Sequence, residues 1–125
     1  MFLTKLVLSD HKPNEWVVES ELAYLHEGER ISVPKGFITD LASIPKIFRN
    51  VLNVNGKSRK PAVLHDYLYC SKIFERSVAD YIFYKALVSE VMNAIIARTY
   101  WAGVRAGGWM YYNKNKGLSK EDFKE

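Results

Sequence analysis

The spacing of apolar positions changes near residue 40, and the change divides the chain into a strand-forming part and a helix-forming part. In the first part short apolar runs alternate with turn-forming residues. Residues 2–8 lead into the turn-like segment 9–14, Trp16-Val17-Val18 and Leu22-Ala23-Tyr24-Leu25 are brief apolar runs, and Glu27-Gly28-Glu29 is a turn into Arg30-Ile31-Ser32-Val33. Runs of this length bounded by Gly, Pro, Asn and Asp predict a small antiparallel sheet. After residues 34–39 the spacing becomes helical. Ser43 ahead of Ile44-Pro45 has the form of a helix N-cap with proline in the first turn, predicting a helical turn over 44–52. Pro61 suits the first position of a helix reaching Ser71, with Leu64 and Leu68 on one face. Ser77-Val78-Ala79-Asp80 has the shape of a capping box with Asp in place of Glu, and Ile82, Phe83, Ala86 and Leu87 continue its apolar stripe, predicting a helix over 78–91. A last helix is expected over 93–105, ended by Gly107-Gly108. The order of elements is that of an α+β fold, a small N-terminal antiparallel β-sheet packed with three to four C-terminal helices. Residues 1–113 are expected to form one domain and 114–125 a loose polar tail.

Composition narrows the class. With 48% hydrophobic and 26% charged residues in 125, the chain has the make-up of a folded globular protein. Cys70 is the sole cysteine, so an internal disulfide and a cysteine-rich zinc cage are excluded and a reducing compartment is expected. Apolar stretches are broken by charge before the roughly 18 residues that span a bilayer, and the first residues lack the apolar region of a signal peptide. A cytoplasmic protein is the expectation. The net charge of +4 is spread among 14 acids, which favours weak contact with a membrane surface and gives no footprint for a specific nucleic acid.

The chemistry concentrates in Leu64-His65-Asp66-Tyr67-Leu68-Tyr69 and Arg76-Ser77-Val78-Ala79-Asp80. On a helix Tyr69 stands one turn beyond His65, while Asp66 points about 100° around the axis. The side chains can divide labour: His65 as general base, Asp66 toward a cation, Tyr69 as a hydrogen bond behind the base, and Asp80 orienting the imidazole from the next helix. Asp40 lies on the loop where strand gives way to helix, where functional side chains concentrate, and reads otherwise as a cap or turn residue. The same residues also have a plain structural reading, a satisfied His/Asp pair, a core tyrosine and a capping aspartate. Exposure separates the two: an open cleft at His65 favours an enzyme, and a buried ring with both nitrogens bonded favours a structural network. Ser43 lacks the glycine elbow that usually presents a nucleophilic serine, and His11 and His26 lack metal-ligand spacing. Trp109, Met110, Tyr111 and Tyr112 follow two glycines outside the helical stripe and predict an exposed edge, or one covered by self-association or another protein partner.

VPKGFITDLASIP, PAVLHDYLY, RSVAD and Tyr100-Trp101-Ala102 together resemble the DUF1353 family of phage and prophage proteins. The resemblance implies a viral origin, with work in the host cytoplasm or in the virion, and no settled activity. The helix pair is also similar, more distantly, to phospholipase A2 enzymes, in which one helix carries His-Asp-x-x-Tyr and another an Asp. That likeness implies His65 as the base activating water, Asp66 as a calcium ligand, and Tyr69 and Asp80 as supports for the imidazole, with Asp40 and nearby carbonyls completing the cation's shell. The glycine-rich calcium loop and the disulfides of that family are missing here. The expectation is therefore a hydrolytic centre of unknown substrate with catalytic His65, Asp80 and Tyr69, and with Asp66 and Asp40 holding a divalent cation, Ca²⁺ or Zn²⁺. The alternative is a non-enzymatic viral protein, a virion or lysis-region component or an inhibitor of a host system, in which the cluster is structural.

Overall fold

The computed structural model describes residues 1–41, 43–44, 56–90 and 92–124. The expected helical turn over 44–52 lies almost wholly outside them.

Five short strands form first: β1 (Leu8–Asp10), β2 (Trp16–Val18), β3 (Leu22–His26), β4 (Glu29–Val33) and β5 (Ile38–Thr39). β2 is the centre of an antiparallel sheet in the order β1-β2-β5, with Leu8 opposite Val18 and Trp16 opposite Thr39. β3 and β4 form a hairpin closed by the pair His26 and Glu29. Its two turn residues, Glu27 at φ 47° and Gly28 at φ 85°, are both left-handed, the form whose twist matches that of the flanking strands. The strand expected over 2–8 is divided instead. Leu3 N–H donates to Ala23 O and Leu25 N–H to Met1 O, both at 2.8 Å, so the first residues run along β3, and only Leu8 enters β1. Thr4 causes the break: its hydroxyl accepts from Ala23 N–H and donates to Glu21 O, taking the place of a backbone rung. Ser9 and Asp10, expected in a turn, pair with β2, and the turn moves to residues 11–15.

Four helices follow: α1 (Arg59–Ser71), α2 (Arg76–Ser89), α3 (Ala94–Gly107) and the short α4 (Trp109–Lys114). The architecture is α+β, small antiparallel sheets followed by three long helices and a short one. α1 is buried on almost every side. Pro61 is its third residue and not its first, which costs no hydrogen bond because the first four N–H groups of a helix have no partner within it. The helix stops where Lys72 turns left-handed at φ 54° and returns its N–H to Leu68 O. α2 starts two residues earlier than expected, with extended Glu75 as its N-cap. Ser77 is thus inside the helix, no capping box forms there, and Asp80 is carried into the protein interior. In α3 the Asn93 side chain caps Ile95 N–H at 2.8 Å, and beyond Gly107 the chain turns straight into α4, so the aromatic residues expected outside the helical stripe are helical.

The main core joins Val18, Leu22, Val33 and Phe37 of the sheets to Leu64, Leu68, Tyr69 and Ile82 of the helices. A second cluster, Phe83, Leu87, Ala97, Tyr100 and Val104, seals α2 against α3. The polar tail returns to the sheet, where Phe123 pairs with Phe37 and Lys124 N–H donates to Gly36 O at 2.8 Å. Among the described residues no helix is long and apolar enough to cross a membrane.

Gly108 lets α4 pack close under α1. A Cβ there would lie 2.6 Å from both the Tyr69 hydroxyl and Val104 O. Gly108→Ala is therefore expected to push the Tyr69 hydroxyl from its place and lower stability by about 1–3 kcal/mol, read as a lower urea midpoint. An unchanged midpoint would show that α4 can shift without disturbing Tyr69.

Candidate functional site

Residues i and i+4 of a helix share a face, and α1 turns His65 and Tyr69 together toward α2, which begins only a few residues after α1 ends. Both meet Asp80. His65 Nε2 is 2.7 Å from Asp80 Oδ1, and the Tyr69 hydroxyl donates to the same oxygen at 2.6 Å. Arg105 of α3 donates to Asp80 Oδ2 at 2.9 Å, and the Arg76 guanidinium lies 3.5 Å from it while also donating to Val104 O and Arg105 O. On its other side His65 Nδ1 is 3.0 Å from Ser43 Oγ. The imidazole is held between the rings of Tyr69 and Phe83, with centroids at 4.2 and 4.7 Å.

Asp66 points elsewhere, as its angle on the helix requires. It accepts from the Thr39 hydroxyl at 2.6 Å and from Ser43 N–H at 3.3 Å. Ser43 thus links Asp66 to His65, bonding Asp66 through its backbone and side chain and facing His65 Nδ1 with its hydroxyl. The loop that carries it is tight: Leu41 is left-handed at φ 59°, and Ile44 N–H returns to Leu41 O at 3.0 Å. The centre of the network is out of water, His65 and Asp80 at 0% exposure and Asp66 and Ser43 at 1%, while the arginines reach solvent.

The protonation states follow from the partners. Burial alone would raise the Asp80 pKa, but the hydrogen bonds from His65, Tyr69 and Arg105 outweigh it and hold the carboxyl below its ordinary range. An ionised carboxylate only accepts, so Nε2 carries the imidazole proton and Nδ1 presents a lone pair to the Ser43 hydroxyl, which also bonds Asp66. Burial lowers the His65 pKa in spite of Asp80, so the ring is neutral at pH 7. Burial and the nearby Asp80 raise that of Tyr69, which stays a donor. Burial raises Asp66 to about 6, partly offset by the bonds from Thr39 and Ser43 and helped by the negative charge of Asp40.

The three expected catalytic residues, His65, Asp80 and Tyr69, are brought together. The expected cation ligands are not. Asp40 is exposed, whereas Asp66 is buried with a donor hydrogen on each oxygen. Ca²⁺ takes about 6–8 oxygen ligands, and among the described residues no group of three His, Cys, Asp or Glu side chains could hold a metal ion. These residues do not fit a calcium or zinc site. Thr39, Arg76 and Arg105 were absent from the expected site. Arg76 carried a readable signal, its i,i+4 spacing to Asp80, but Arg105 carried none. Cys70 is buried with its thiol pushed up to about 12, chiefly by burial, and is no nucleophile. The expected aromatic edge is split: Trp109 and Met110 are each 52% exposed, while Tyr111 stacks on Tyr69 and Tyr112 donates to Phe74 O.

A family model described as "Protein of unknown function (DUF1353)" matches residues 16–104, a span that holds every residue of this network except Arg105. No curated protein and no solved structure matches the chain.

Two measurements test the state of Asp66. Its folded pKa of about 6 exceeds the ordinary 3.8, so between those values the folded chain holds a proton that the unfolded chain has released, and this carboxyl's contribution to stability falls as pH rises. Asn at this position keeps both partners, donating to Thr39 and accepting from Ser43, without titrating. The stability of Asp66→Asn relative to the wild type is expected to climb by up to about 3 kcal/mol between about pH 4 and pH 7 in urea titrations, and a flat difference would mean that the carboxyl titrates normally. In the second, millimolar Ca²⁺ or Zn²⁺ is expected to leave the melting temperature where EDTA leaves it. A rise with either ion would put a cation on Asp66 after all.

Proposed function

Because this chain belongs to the DUF1353 family, described only as proteins of unknown function, we propose its activity from the network itself: a hydrolytic centre in which His65 is the general base and Asp80 and Tyr69 support it. One observation carries this reading. The neutral imidazole is anchored through Nε2 to an ionised carboxylate and directs the lone pair of Nδ1 at a hydroxyl 3.0 Å away. That is the base-and-orienter geometry a proton transfer needs, with the ring already in the accepting state at pH 7. Energetics point the same way. A buried ion network costs several kcal/mol in desolvation, and apolar residues of similar size often hold a core as well or better. The likeness to phospholipase A2 supports the same assignment, since its tyrosine and second aspartate also stand behind the histidine. Its calcium half is dropped, because among the described residues no group of three His, Cys, Asp or Glu side chains could hold a metal ion. The sequence likeness alone supplies the rest of the proposal, a phage or prophage protein working in the host cytoplasm or carried in the virion.

The burial of the imidazole, with both nitrogens bonded, favours a second reading. In it the protein is a non-enzymatic viral component and the network ties α1 and α2 to the loop around Thr39.

Ester hydrolysis separates the two. The wild type is expected to release p-nitrophenol from p-nitrophenyl butyrate above background, with a rising limb centred below the ordinary histidine value of about 6.5, since burial lowers the His65 pKa. His65→Ala and Asp80→Asn are expected to lower the rate by about 10²–10⁴-fold, His65→Ala with a melt that stays cooperative. A wild type inert toward nitrophenyl esters and phosphatidylcholine vesicles alike, whose melt the same substitutions abolish, would establish the structural reading.

A further inference from the structure

We propose that Ser43 is the nucleophile of this centre, an inference that rests on His65 being its base. Three independent features converge on this side chain. The first is the lone pair that faces it. Asp80 fixes Nε2 as the protonated nitrogen, so the lone pair of Nδ1 faces the hydroxyl 3.0 Å away, which also bonds Asp66, and its oxygen is the atom that gains electron density when the base takes the proton.

The second is the turn. Leu41 is bulky and branched yet sits at φ 59°, a conformation that costs about 1–3 kcal/mol and persists only where the surroundings enforce it. The return bond from Ile44 N–H to Leu41 O closes the loop tightly around Ser43. In a nucleophile elbow the serine itself occupies the strained turn, whereas here the strain lies two residues earlier, at Leu41, on the loop that leaves β5 and carries Ser43. The third is the anchoring. Ser43 N–H is fixed to Asp66 on α1, and Asp66 is fixed in turn by Thr39 of β5, so the serine backbone is positioned from the same helix that carries the base.

The substrate class is a carboxylic ester. As Ser43 Oγ attacks the acyl carbon, its proton passes to Nδ1 and the carbonyl electron pair moves onto oxygen. The pair returns as the ester C–O bond breaks, and the alcohol leaves with the proton from Nδ1. Water then gives a proton to Nδ1 and attacks the acyl carbon; the acid departs, and Ser43 recovers its proton from the ring. Asp80 remains ionised throughout and stabilises the transient imidazolium, with Tyr69 and Arg105 holding it in place.

The test uses the full chain, an alkyl fluorophosphonate and p-nitrophenyl butyrate. One phosphonyl group per chain is expected on the peptide that carries Ser43, with labelling at least about 10²-fold slower in His65→Ala and absent in Ser43→Ala. Turnover is expected to show a burst of about one p-nitrophenol per chain, the mark of an acyl-enzyme. Turnover kept by Ser43→Ala but lost in His65→Ala would make water the nucleophile, overturning this inference and leaving the hydrolytic centre standing. A label on any other residue overturns it as well. No label and no turnover in the wild type would remove the hydrolytic reading and this inference together. Because the labelled peptide comes from the wild type, the result does not depend on the folding of Ser43→Ala.

Discussion

An ionised carboxylate in a dry interior constrains the rest of this structure. Asp80 has no contact with water, and a single unpaired charge there would cost several kcal/mol, much of the 5–15 kcal/mol that separates a typical folded domain from its unfolded chain. The donors that prevent this come from three helices: His65 and Tyr69 from α1, Arg76 from α2 itself and Arg105 from α3. Each distance to Asp80 therefore fixes the placement of a helix. The apolar clusters supply the drive to pack, but they tolerate small shifts, whereas hydrogen bonds of 2.6–2.9 Å to one carboxylate do not.

Asp66 and Asp80 show how strongly position decides the state of one residue type. Both are buried carboxyls on helices that pack together. Asp80 receives two cationic guanidinium groups and an imidazole, and its pKa is held below the ordinary carboxylate value. Asp66 receives only neutral donors, the hydroxyls of Thr39 and Ser43 and the Ser43 amide, so desolvation prevails and its pKa moves the other way, to about 6. One acid is a charge held beside the imidazole. The other is a positioning group for the loop that faces it.

Much of this was legible in the chain, for identifiable reasons. The strand-to-helix change of period gave the α+β class, and Glu27-Gly28 marked a turn that only left-handed residues can close. The pairing of His65, Tyr69 and Asp80 followed from helical spacing and a short connection. What failed was local inference wherever a tertiary contact overrode it. Ser77 and Asp80 have the residues of a capping box, but the helix starts earlier because Asp80 is drawn inward. Residues 2–8 have a strand's composition, but the Thr4 hydroxyl replaces a rung and divides them. The cation expected at Asp66 gives way to Thr39, a polar residue at the end of a strand with nothing in its neighbours to announce a buried acceptor. Arg105 reaches Asp80 across 25 positions, a separation no periodicity spans.

The pairing of Lys124 with Gly36 and of Phe123 with Phe37 also sets an order of events during synthesis. The segment that leads into Thr39 and Ser43 gains this backbone partner only when the last described residues have left the ribosome, and Asp80 gains Arg105 only shortly before. A nascent chain that already displays His65 and Asp80 is thus a chain with a half-compensated charge and an unfinished sheet edge. Completion of the centre therefore waits until residues 105 and 123–124 have been made.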